Sequence, residues 1–114
     1  MELDSAVFYS HSIPAAVEYY TGVIGLELDY RQGDDYAAFF FSNGLRLGIK
    51  RAVEAREIPG SQTVVIATQD ARGDYDTAQK KGLDIHHPLS DDPWGIWFSV
   101  LDPDKNLLEY LQRK

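Results

Sequence analysis

The chain passes twice through the same order of elements, and that repetition restricts its fold more than any local propensity does. Ala6 to Tyr9 is rich in β-formers and reads as a strand. Ser12 offers a helix cap, Pro14 fits the first turn, and Ile13, Val17 and Tyr20 recur at helical spacing, with a stop near Gly22 or Gly25. Strands follow over Leu26–Arg31, Tyr36–Phe41 and Leu45–Lys50, the last two joined through Asn43-Gly44, a strong hairpin signal. The order then recurs. Thr63–Thr68 is a strand, and Asp70 caps a helix reaching about Lys81, with Asp74 and Asp76 early and Lys80 and Lys81 late, as the helix dipole favours. Leu83–His87, Gly95–Leu101 and Asn106–Gln112 close the second pass, the last two joined by the turn chemistry of Asp102-Pro103-Asp104-Lys105-Asn106.

The expected architecture is therefore α+β: tandem βαβββ modules forming a curved mixed sheet around a cleft, in one domain over residues 1–114. Module one covers about 3–50, a charged linker ending in Pro59-Gly60 covers about 51–61, and module two covers about 62–113. One module alone buries little, so pairing is expected, within the chain or across a homodimer. At 44% hydrophobic residues the chain has material for a core. No apolar run approaches the roughly 18 residues of a membrane span, and Met1-Glu2-Leu3-Asp4 has no signal-peptide character, so no membrane partner and a cytoplasmic address are expected. With no cysteine there is no disulfide framework and no thiolate metal site. A net charge of -7 argues against nucleic acid and suits a cationic small molecule.

Several segments carry a resemblance at similar spacing: Tyr19-Tyr20 followed by Val23-Ile24-Gly25-Leu26-Glu27, then Pro93-Trp94-Gly95, then Asp102 through Glu109. Together they resemble the vicinal oxygen chelate superfamily, which includes glyoxalase I, the fosfomycin and bleomycin resistance proteins, and the extradiol dioxygenases. Lys105 departs from the glycine usual in that turn. The resemblance implies the glyoxalase/bleomycin-resistance fold over nearly the whole chain. Its enzymes hold a divalent metal with side chains from the first and last strands of each module. Those positions carry over to Ser5, Gly48, Thr63 and Glu109. Only Glu109 is a credible ligand, and a hard cation needs several oxygen or nitrogen donors. The resemblance thus points to the metal-free, bleomycin-resistance-like members, with no metal and no cofactor.

Strand alternation sorts the side chains. Leu45, Leu47, Ile49, Leu108 and Tyr110 should face the helices, whereas Arg46, Gly48, Lys50, Leu107, Glu109 and Leu111 should face the concave side, with Ser5, Val7, Tyr9, Thr63, Val65 and Ala67. From these the candidate ligand-binding set is Tyr9, Arg46, Thr63, Trp97 and Glu109. No catalytic residue can be assigned. Glu109 has two readings: a ligand-facing carboxylate, or the partner of Arg46 or Lys50 in a structural ion pair. Trp97 stacks on a ligand or fills core, and Trp94 reads as core or dimer interface. His11, His86 and His87 read as surface residues, since adjacent strand positions such as His86 and His87 cannot chelate one ion. Phe39-Phe40-Phe41 reads as core and interface. The leading expectation is a homodimeric, metal-independent protein that binds a cationic or aromatic small molecule, sequestering a toxic or antibiotic-like compound. The alternative is a metal-dependent or metal-free lyase, isomerase or dioxygenase of the same superfamily.

Overall fold

A computed structural model describes residues 1–114. The elements are β1 (Ser5–Ser10), α1 (Ile13–Glu18), β2 (Glu27–Gln32), β3 (Tyr36–Phe40), β4 (Arg46–Arg51), β5 (Thr63–Ala67), α2 (Ala71–Lys80), β6 (Asp84–Asp92), β7 (Gly95–Leu101) and β8 (Leu107–Arg113). They fall into two compact units, Met1–Ser61 and Gln62–Lys114. Each unit holds one four-stranded mixed sheet, ordered β1-β4-β3-β2 in the first and β5-β8-β7-β6 in the second. In both, the first strand runs parallel to the last and the remaining pairs are antiparallel. The two passes seen in the sequence are therefore two copies of one topology. The expected mixed sheet is built as two sheets, one per module.

In the first unit the Ser12 hydroxyl caps α1 by accepting from the Ala15 N–H at 3.3 Å. The helix does not stop at Glu18 but widens into a π-turn over Tyr19–Val23. That keeps Ile13, Ala16 and Tyr20 on one face, packed with Phe8, Phe39, Leu47 and Ile49, all essentially buried. The Tyr20 and Phe39 rings lie 5.5 Å apart. Burying each large apolar side chain contributes about 1.5–3 kcal/mol. Leu47 and Ile49 face the helix as alternation requires.

In the second unit Asp70 Oδ1 caps α2 through the Gly73 N–H at 3.0 Å, and Gly82 ends it at φ +71°. Ala71, Ala78, Phe98, Val100 and Leu108 are buried. Tyr75 meets Phe98 edge-on, and Phe98 stacks flat on Tyr110 with centroids 4.7 Å apart. Burial, with the Asp74 charge added, pushes the Tyr110 phenol up to about 12.

One expectation about a strand boundary is corrected. The strand expected to end at His87 continues to Asp92, straight through Pro88. β6 is an edge strand with register shifts on both sides of His87, the setting in which a strand tolerates proline. The charged segment 51–61 is pinned by one buried carboxylate. The Glu57 carboxylate is buried and accepts from Lys50 Nζ at 2.8 Å and from the N–H groups of Val53 and Glu54 at 2.9 and 3.0 Å. The Lys50 ammonium and those N–H donors hold Glu57 at about 2. Lys105 takes φ +68°, the conformation glycine adopts freely, while Asp102 Oδ1 fixes the turn by accepting from the N–H groups of Asp104 and Asn106. No helix is long and apolar enough to cross a membrane.

Candidate functional site

One face of each sheet is turned away from its helix, and it carries the side chains of interest. In the first unit this open face follows from the register. Ser5, Arg46 and Phe40 form one row, Val7, Gly48, Ala38 and Tyr30 the next, and Tyr9, Lys50 and Tyr36 the third. Arg46 is held within its own module. Its Nε donates to Asp29 Oδ2 at 2.8 Å, its Nη1 to Asp4 at 3.2 Å, and its guanidinium lies 4.7 Å from the Phe40 ring centre. The Asp29 hydrogen bond raises Arg46 further above its ordinary value. Asp29 sits at a register shift between Leu28 and Tyr30, a bulge that re-aims its carboxylate. The Tyr9 hydroxyl accepts from Arg56 Nη1 at 3.3 Å.

Gly48, the second position that the resemblance marks for a metal donor, is occupied from the side. A Cβ built there would lie 2.0 Å from the Tyr36 hydroxyl oxygen. The Tyr36 phenol covers that spot, and Tyr30 stacks beside it with centroids 5.8 Å apart. Desolvation first, then Tyr30, raises the Tyr36 phenol above its ordinary value.

On the open face of the second sheet, Val65, Glu109, Ser99 and His87 form one row, and Ala67, Leu111, Trp97 and Ser90 the next. Trp97 and Glu109 therefore share a face in adjacent rows. Thr63 lies exposed on the edge strand β5, on the same face, opposite Leu107. Trp97 Nε1 donates to Asp92 Oδ2 at 2.7 Å, and the same oxygen accepts from the Ser90 hydroxyl at 3.1 Å. The His87 ring stacks on Trp97 at 4.2 Å, and Trp94 flanks Trp97 at 6.0 Å.

Two sequence expectations change. Trp94 is not core, being 52% exposed. His87 is not a bare surface residue but one member of an aromatic column. Arg46 and Lys50, the partners considered for Glu109, are engaged inside the first module, Arg46 by Asp29 and Asp4 and Lys50 by Glu57. The Glu109 carboxylate makes no hydrogen bond or ion pair, and its cross-strand neighbours are Val65 and Ser99. Extending alternation through Pro88 would have placed His87 beside Trp97, but the proline masks that signal. Asp92 was missed because a side chain that orients an indole leaves no mark in spacing.

The donor set does not fit a resident metal ion. Ser5, Gly48 and Thr63 supply no carboxylate or imidazole, and no three His, Asp or Glu side chains gather where they could hold an ion.

A family profile described as Glyoxalase/Bleomycin resistance protein/Dioxygenase superfamily matches residues 2–110. The chain belongs to this superfamily. No curated protein sequence matches it. Solved structures of the superfamily type match over nearly the full length. An antibiotic binding protein from Streptomyces sp. CB03234 is similar at 18% identity and TM-score 0.86, covering 100% of this chain and 97% of that one. The bleomycin-binding protein from Streptomyces verticillus, solved with copper(II)-bleomycin, is similar at 19% identity and TM-score 0.78, covering 100% and 98%. The lactoylglutathione lyase from Agrobacterium tumefaciens is similar at 18% identity and TM-score 0.78, covering 97% and 92%. At such identities the likeness establishes the glyoxalase/bleomycin-resistance fold. That one fold serves both binders and a lyase, so function has to be argued from the site.

Proposed function

We propose that this superfamily member is a metal-independent protein that binds a cationic or aromatic small molecule and sequesters it. The observation that carries the reading is the makeup of the second sheet's open face. An aromatic column of Trp94, Trp97 and His87 stands there near one unpaired carboxylate, Glu109. Tryptophan faces attract flat and cationic guests, and a nearby carboxylate adds charge complementarity. Trp97 is held by Asp92, so little side-chain freedom is lost when a guest stacks on it. Tyr9, Arg46 and Thr63 are proposed as further ligand contacts. A homodimer and a cytoplasmic address complete the proposal, checked by light scattering and by cell fractionation.

The test combines two measurements on protein purified without chelators. Thermal shift against a panel of cationic aromatic compounds should give saturable stabilisation, abolished by Trp97→Ala. Elemental analysis should find substoichiometric metal. Full occupancy by Mn, Fe, Ni or Zn, lost in Glu109→Gln, would overturn the reading in favour of a metal-dependent lyase, isomerase or dioxygenase. The unpaired state of Glu109 favours a second reading, in which it is a general base beside a substrate carbonyl. Turnover of a bound carbonyl compound that disappears in Glu109→Gln would establish that instead.

A further inference from the structure

Tyr30 and Tyr36 stand outside the candidate set above, yet the first sheet gathers them over its smallest residues. Gly48 and Ala38 pair across β4 and β3, and neither has a side chain long enough to cover the sheet. Tyr36 lies one row away and leans diagonally, so that its hydroxyl oxygen would be 2.0 Å from a Cβ at position 48 and its Cζ 2.8 Å. Tyr30 pairs with Ala38 on the other side and stacks on Tyr36 at an interplanar angle of 26°. Desolvation first, then the neighbouring Tyr30, keeps the Tyr36 phenol protonated, so its O–H stays a donor. Tyr30 brings a second phenol O–H to the same face. Tyr30 is 45% exposed, so a guest can reach its phenol. Val7, at 36% exposure, borders the pair through its pairing with Gly48. No anion-binding cation serves the spot, because Arg46 is held by Asp4 and Asp29 and Lys50 by Glu57.

We infer that the Tyr30–Tyr36 pair is a ligand subsite for an uncharged planar ring bearing a carbonyl oxygen, which stacks on Tyr30 and accepts from the phenol pair. Glycine at position 48 is what lets Tyr36 stand there: any side chain on that residue would displace the phenol. This inference rests on the small-molecule reading above and assigns part of the guest's chemistry, a neutral acceptor, that the second sheet's aromatic column and carboxylates do not select.

The probe is coumarin, a neutral planar ring with one carbonyl. Its titration is followed by NMR of ring-labelled tyrosine and by indole signals in the same samples. Saturable shifts at Tyr30 and Tyr36 are expected. Tyr36→Phe should weaken binding about tenfold at unchanged Tm, the loss of one net hydrogen bond. Tyr30→Leu should weaken it through lost stacking. The inference is overturned if the tyrosine signals do not move, if shifts are confined to Trp94 and Trp97, or if Tyr36→Phe binds coumarin as well as the wild type. In those cases stabilisation by the cationic panel leaves the broader reading standing, and its absence removes both.

Discussion

At position 48 the absence of a side chain decides where a neighbour stands. The atom nearest a Cβ at Gly48 is the far end of the Tyr36 side chain, which can swing aside. Gly48→Ala should therefore cost only about 1 kcal/mol, the packing that Tyr36 loses. In a Tyr36→Ala background the same change should be neutral or stabilising, because alanine loses less backbone freedom in a strand than glycine. Urea denaturation of the four proteins in that cycle gives the coupling directly, and additivity would contradict the arrangement. Gly95 makes the contrast. A Cβ there would meet the backbone carbonyl oxygen of Gln112 at 2.9 Å, and β8 cannot yield as a side chain can. Gly95→Ala should cost about 1–3 kcal/mol in the same assay.

Local chemistry fixes the individual elements, and single caps carry measurable weight. Asp70→Ala removes the acceptor for the Gly73 N–H and should lower stability by about 1 kcal/mol, while Asp70→Asn, which keeps an oxygen, should restore most of it. The 51–61 segment depends on Glu57 in a pH-dependent way. Its carboxyl falls from 4.5 in the open chain to about 2 in the fold. The folded state thus favours the ionised form, and the stabilisation is complete above 4.5 and lost as pH drops toward about 2. Glu57→Gln should lower Tm by a few degrees at neutral pH, and the two melting curves should converge on the acid limb. A difference that persists unchanged at the acid end would mean that packing rather than charge holds the segment. Tyr110 acts at the opposite limit: with its phenol raised to about 12, its contribution is present below the ordinary value of 10.0 and is lost as pH climbs between the two.

For the molecule as a whole, each module repeats one topology while the two open faces diverge: phenols over glycine in one, an indole–imidazole column and a lone carboxylate in the other. With no gathered donors, exhaustive dialysis against a chelator should leave Tm unchanged, since an ion bound only to the folded state would stabilise it by mass action. A drop in Tm reversed by one specific divalent cation would defeat the metal-independent reading. The repeat, both helix caps, the Asn43-Gly44 hairpin and the alternation that sends Leu47, Ile49 and Leu108 inward were legible in the sequence, because periodicity and turn chemistry act over a few residues. Tertiary structure alone decided that Tyr36 leans onto Gly48, that β6 runs through Pro88 to bring His87 onto Trp97, that Asp92 holds the indole, and that Arg46 and Lys50 are engaged inside their own module. Those outcomes depend on bulges, strand register and competition among partners distant in sequence. None of these is encoded in the spacing of residues along one strand.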